Sequence, residues 1–188
     1  MGSSSSSLAS GSGRYTFRLF FYDEVDNNES AGKDHSMTND EMHETFGKLT
    51  DTSEVIQEVS YYINPLNNWQ LYNGKVKPTG LEFLWGNWHH AYIVFKTDKW
   101  WWSVEKNDTC VAIQRTNRIQ FVRDMYCRAD RRTALLWAKI DCAKSKTGQS
   151  RTVKELLEHL QARNYVNQEY HVTSENCQHF ADNIYDFL

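Results

Sequence analysis

The chain has 188 residues, a net charge of -3 and 14% aromatic side chains, including seven tryptophans. That length fits one domain burying roughly 70% of the surface of its unfolded chain. The pI of about 6.2 gives no basic footprint for nucleic acid or an anionic membrane surface. No apolar run approaches the roughly 18 residues that span a bilayer.

The four cysteines, Cys110, Cys127, Cys142 and Cys177, form no C-x-x-C pair, and no signal peptide precedes them. Neither a zinc finger nor a secreted disulfide framework fits that spacing. The expectation is a reduced, cytoplasmic protein with no cofactor, no bound metal and no transmembrane segment.

Residues 1–13 are Ser/Gly-rich and read as a linker or tag, leaving residues 14–188 as one domain. Tyr15 to Tyr22 alternates as a strand, and Asp23 to Asn39 reads as a long polar loop. Thr38 or Asn39 is placed to cap a helix through about Gly47, with Met42 and Phe46 on one face. Ser53 to Ile63 fits either a helix or a β-branched strand. Asn64 to Gly80 holds turn residues and both prolines.

From Leu81 to Thr116 the pattern is β. Strands are expected at Trp88 to Phe95, Trp100 to Glu105 and Thr109 to Gln114, joined by short turns into an antiparallel meander. Further on, Ile119 to Val122 reads as a strand and Thr133 to Lys139 as a short helix. Thr152 and Glu155 fit a capping box, opening a helix with Val153, Leu156, Leu157 and Leu160 on its apolar stripe. Tyr170 to Val172 reads as extended, and a terminal helix follows. Its stripe is Phe180, Ala181, Ile184 and Leu188, with Cys177 in its first turn.

The position of Cys177 is chemically suggestive. N–H groups at a helix start are unpaired and favour a thiolate, and Asn176 and Cys177 would supply them to an oxyanion. The plainer alternative is a small buried hydrophobe, since free cysteine is commonly buried. His179, two residues on, points away and reads as a surface or capping histidine.

A thiol nucleophile needs a base, and His89 and His90 lie on the predicted strand. Neighbours on a strand face opposite sides, so only one of them can serve Cys177. With the turn centred on Asp98, residues summing to 196 pair across the hairpin. Glu105 then becomes a diagonal neighbour of His89, placed to orient its ring. A one-residue shift instead sets Asp108 opposite His89. Glu105 is the first choice for the orienting group, then Asp108 and Ser103. Trp101 would share the His89 face and could line a cleft with Ser103, whereas Trp100 and Trp102 fit the core better. A metal site of His89, His90 and a cysteine is disfavoured, because adjacent strand histidines diverge.

Asn176-Cys177-Gln178-His179-Phe180 resembles the N-C-E-H-F motif of lecithin:retinol acyltransferase-like proteins. His89-His90-Ala91-Tyr92-Ile93-Val94 is similar to that family's H-W-A-I-Y-V segment. The resemblance implies an α+β fold of the circularly permuted papain-like (NlpC/P60) class, an antiparallel meander packed against helices. It puts His89 at the catalytic position and Cys177 at the nucleophile, with residues 81–188 as the His/Cys core and residues 14–80 divergent. The implied activity is acyl transfer through a Cys177 thioester, acting on a lipid ester or on a peptide or isopeptide bond. The permuted isopeptidases share the same order of residues. The family's second histidine, about a dozen residues after the first, has no counterpart here. The orienting role therefore falls to Glu105 or Ser103, or goes unfilled, and an inactive binding module on the same fold is the remaining alternative. Many family members continue into a membrane anchor beyond this helix, whereas this chain stops at Leu188.

Overall fold

A seven-stranded sheet organises the chain in an α+β fold. The computed structural model describes residues 12–13, 19–24, 33–65, 89–126, 129–131, 140–171 and 175–188. The elements are β1 (Ser12–Gly13), β2 (Leu19–Glu24), β3 (Lys33–Met37), α1 (Met42–Leu49), β4 (Ile56–Pro65), β5 (His89–Thr97), β6 (Trp101–Lys106) and β7 (Val111–Thr116). They continue with α2 (Ile119–Arg123), β8 (Met125–Tyr126), β9 (Ala129–Asp130), β10 (Asp141–Thr147), α3 (Val153–Ala162), β11 (Tyr170–His171) and α4 (Cys177–Phe187). The sheet order is β10-β4-β5-β6-β7-β2-β3. Strands β5, β6 and β7 form the expected antiparallel meander, β4 and β10 extend it antiparallel on one side, and β2 joins β7 in parallel on the other.

The two faces of the sheet are unequal. Phe21, Val59, Ala91, Ile93, Phe95, Trp102, Val104 and Ile113 point to the main core, which α1, α3 and α4 cover. Trp102 lies at its centre, stacked between Phe21 and Phe95 at 5.8 Å each. The second face holds a smaller cluster, in which Tyr92, Val94 and Val122 meet Tyr62, Trp101, Ile119 and Ile140.

Local signals explain the helices that matter. Thr152 Oγ1 accepts the Glu155 N–H and the Glu155 carboxylate accepts the Thr152 N–H, completing the capping box of α3. Asn176 caps α4. Helix α1 starts at Met42, later than expected, because Thr38 and Glu41 bond each other across the preceding turn.

Three expectations are corrected, and strand β10 is found where no element was expected. The polar stretch before Asn39 contains β3, an edge strand paired with β2. Ile119 to Val122 is helical rather than extended. Ile119 and Val122, three apart, both reach the second-face cluster, and a strand would turn them to opposite sides. Strand β10 has no apolar alternation, since it is an exposed sheet edge. Ser12 and Gly13, inside the stretch read as linker, pair with His171 and Tyr170. The ambiguous segment before Asn64 is strand β4. The expected helix at Thr133 to Lys139, most of the Asn64 to Gly80 turns, Trp69, Trp85, Trp88 and Cys127 lie outside the described residues.

Candidate active site

The geometry follows from one hairpin. Its turn is two residues long, Asp98-Lys99, closed by the Thr97 N–H on the Trp100 carbonyl at 2.9 Å. Paired residues therefore sum to 197, as in Ile93 with Val104 and Phe95 with Trp102. A slip of one residue exchanges the faces of a strand. Glu105 consequently lies on the second face as diagonal neighbour of His90, and not of His89 as a sum of 196 would require.

The β5–β6 ladder ends at the Ile93–Val104 pair. Thr97 bonds toward β6, and antiparallel strands alternate their bonding direction, so the Ala91 N–H and His89 carbonyl also face that side. They are met there by the start of α4. Gln178 Nε2 donates to the His89 carbonyl at 3.2 Å. The Cys177 sulfur lies 3.9 Å from the same oxygen and accepts the Ala91 N–H. The thiol thus fills the wedge where β6 leaves β5, and from the core side it reaches groups on the second face.

Those groups form a chain. His90 is the neighbour that does most to lower the Cys177 thiol, and its Nε2 lies 2.7 Å from Glu105 Oε2. With Nε2 engaged by the carboxylate, Nδ1 is the ring nitrogen left for the sulfur. The ring also stacks on Tyr92, with centroids 6.0 Å apart. Glu105 is 1% exposed and meets Arg131 through both carboxylate oxygens, one contact being 2.8 Å. On the sulfur's other side, the Tyr170 hydroxyl donates to it at 3.7 Å.

The electrostatics are those of an ion pair. Burial pushes the Cys177 thiol up, but His90, the Ala91 N–H and the Tyr170 hydroxyl outweigh it and hold the thiol below its usual range. Burial alone would lower His90, yet Cys177 and Glu105 raise it to about 9. Burial would raise Glu105, but Arg131 and His90 bring it down to about 2. All four groups are thus biased toward their charged forms, which would place thiolate, imidazolium, carboxylate and guanidinium in a row.

Cys177, Glu105 and Asn176 lie at one end of the sheet, and the imidazole between Cys177 and Glu105 is His90 rather than the expected His89. His89 contributes its carbonyl, which anchors α4. Its formal partner in the observed register, Asp108, lies beyond the ladder in the turn after β6. Asn176 acts as the helix cap. Its Oδ1 accepts the N–H groups of Gln178 and His179, both at 3.0 Å, so these two donors are not open to an oxyanion. The exposed His179 ring bonds the same Oδ1 at 3.0 Å.

Neither cleft candidate lies here. Ser103 is buried and accepts from Gln114 Nε2 at 2.9 Å, which leaves it inside the sheet's polar face. Trp101 is four residues from Glu105, about 13 Å along the strand. It packs in the second-face cluster with Lys96 over its ring at 5.3 Å. Sequence reasoning missed Arg131 and Tyr170. Arg131 stands apart in the chain with no periodicity to mark it. Tyr170 had a signal, a polar-tipped aromatic in an extended segment just before the cysteine helix. No family model matches the chain, and comparison with curated proteins and with solved structures returns no match.

Proposed function

We propose that this chain is a thiol-dependent acyl-transfer enzyme, a hydrolase or acyltransferase, with Cys177 as nucleophile, His90 as proton carrier and Glu105 as orienting carboxylate. The observation that carries this reading is the His90 ring, held at Nε2 by Glu105 Oε2 at 2.7 Å and coupled electrostatically to the Cys177 thiol, which it lowers. Thiol enzymes need a thiolate beside an imidazolium whose far nitrogen is held, and the lowered thiol, the raised imidazole and the Glu105 contact support that reading. The finer fold we infer is the circularly permuted papain-like one. Its support is the order of the parts, a histidine strand first and a cysteine at the start of a packed helix later.

The thiolate attacks the carbonyl carbon of an acyl donor, forming a C–S bond and a tetrahedral oxyanion. The Tyr170 hydroxyl, which donates to the sulfur at 3.7 Å, is the donor placed to receive that charge. Collapse breaks the bond to the leaving alcohol or amine, which takes the proton from His90. Neutral His90 then draws a proton from water or a second acceptor as it attacks the thioester. The acyl group leaves, and thiolate and imidazolium are restored. The substrate class is a lipid ester or a peptide or isopeptide bond.

Incubation with activated acyl esters followed by mass spectrometry tests the reading. A stable acyl adduct on Cys177 is expected in the unsubstituted chain and none in Cys177→Ala. Acylation of Cys110 or Cys142 at the same rate as Cys177 would overturn it.

A further inference from the structure

Arg131 is absent from the chemistry above, yet it is 8% exposed and bound on every side. It follows the short β8–β9 ribbon, outside the main sheet. Its Nε donates to the Met125 carbonyl at 3.0 Å and its N–H to the Asp124 carbonyl at 2.8 Å, while its own carbonyl accepts from Asn64 at 2.9 Å. The guanidinium lies 4.1 Å from the Tyr92 ring centre and 5.4 Å from that of Tyr126. Its fork is thus held rigid, and both prongs are spent on Glu105. Oε2 is shared, with Arg131 Nη1 at 2.8 Å and His90 Nε2 at 2.7 Å.

We propose that Arg131 is the positioning residue of this site: its two-pronged pair with Glu105 fixes the carboxylate against His90 and sets the pH range over which Cys177 and His90 exist as an ion pair. This inference rests on the thiol reading given above. Without Arg131, a row of thiolate, imidazolium and carboxylate would bury a net negative charge. With it, the row is neutral.

Among the described residues, the other titratable groups facing this row are Tyr61 on β4, kept protonated at neutral pH by burial, Tyr92 on β5, Cys110 before β7, Tyr126 on β8 and Tyr170 on β11. Burial holds Tyr92, Cys110 and Tyr170 above their usual ranges and so uncharged at neutral pH. Arg123 and Asp124, at the C-terminal end of α2, bond each other at 2.7 Å and largely cancel. Asp108 acts on Tyr170 from the turn after β6. The sign of any shift is therefore set by Arg131 and Glu105. Removing a cation raises the proton affinity of its neighbours, and removing an anion lowers it.

The test is the rate of Cys177 alkylation by iodoacetamide against pH, read by mass spectrometry on the full chain. Arg131→Met keeps much of the apolar stem, and it is expected to move the upper limb of the profile to higher pH by about one unit or more. Glu105→Gln is expected to move that limb to lower pH. Arg131→Lys should stay nearer the unsubstituted profile than Arg131→Met. Loss of packing alone predicts no such opposed pair of shifts. If folded Arg131→Met leaves the profile unmoved, or moves it downward, the proposal is overturned. If Arg131→Met does not fold, an upper limb unmoved in Glu105→Gln and Arg131→Lys overturns it instead. Should Cys177 of the unsubstituted chain react no faster at pH 6 than Cys142, the thiol reading itself has failed.

Discussion

His90 and Glu105 tie the stability of the fold to pH in a way that can be worked out residue by residue. His90 rises from an ordinary 6.5 to about 9, so its contribution is complete below pH 6.5 and is lost as pH climbs through 9. Glu105 falls from 4.5 to about 2, so its contribution is complete above pH 4.5 and is lost as pH drops toward 2. Both are fully present only between about 4.5 and 6.5. Glu105→Gln leaves the buried Arg131 guanidinium without its counter-ion, a loss on the order of 3 kcal/mol. Urea midpoints should therefore separate the two proteins most between pH 4.5 and 6.5, with the gap narrowing on either side. A gap that stays constant from pH 3 to pH 9 would contradict these assignments. Which histidine takes part was not readable from residue type, since the two are adjacent and equally basic. The choice lay in the pairing of a strand partner fifteen residues away.

At the level of elements, the two capped helices offer a matched comparison. Thr152 caps α3 and Asn176 caps α4, each through a side-chain oxygen that takes helix N–H groups. Substituting alanine for either should cost about 1 kcal/mol. Only the Asn176 substitution loosens the turn that carries Cys177, so only it should slow alkylation there. Equal slowing in both variants would show that the cap is not a local support of the thiol. The Thr152 cap was legible in the sequence, because its signal lies within four residues, whereas Asn176 was expected at an oxyanion and proves to be the cap. The helical stripes of α3 and α4 and the meander strands were legible too, because they bury one face. Strands β3 and β10 were not, since exposed edges carry no alternation. The hairpin turn was placed correctly, but its length was read one residue too long. That single residue moved Glu105 from the His89 face to the His90 face.

For the whole molecule, the site exists because the two faces of the sheet communicate at one end. Helix α4 packs in the main core through Phe180, Ala181 and Ile184. Glu105, His90 and Arg131 belong to the opposite side. They meet because the β5–β6 ladder stops at Ile93–Val104 and leaves a wedge that the sulfur occupies. This convergence was out of reach of sequence reasoning, which fixes the face of each residue but not where a ladder ends. It is also why Arg131, from a ribbon outside the sheet, could not be joined to the motif.

The most direct measurement is the alkylation rate of Cys177 at pH 6 in the unsubstituted chain, in His89→Ala and in His90→Ala. An ordinary thiol is almost wholly protonated at that pH, so a fast rate reports the ion pair. His90→Ala is expected to slow the reaction by about 100-fold or more, while His89→Ala, which keeps its backbone carbonyl, stays within about threefold of the unsubstituted chain. The reverse ordering, or equal small effects from both, would contradict the assignment of His90 as the partner of Cys177.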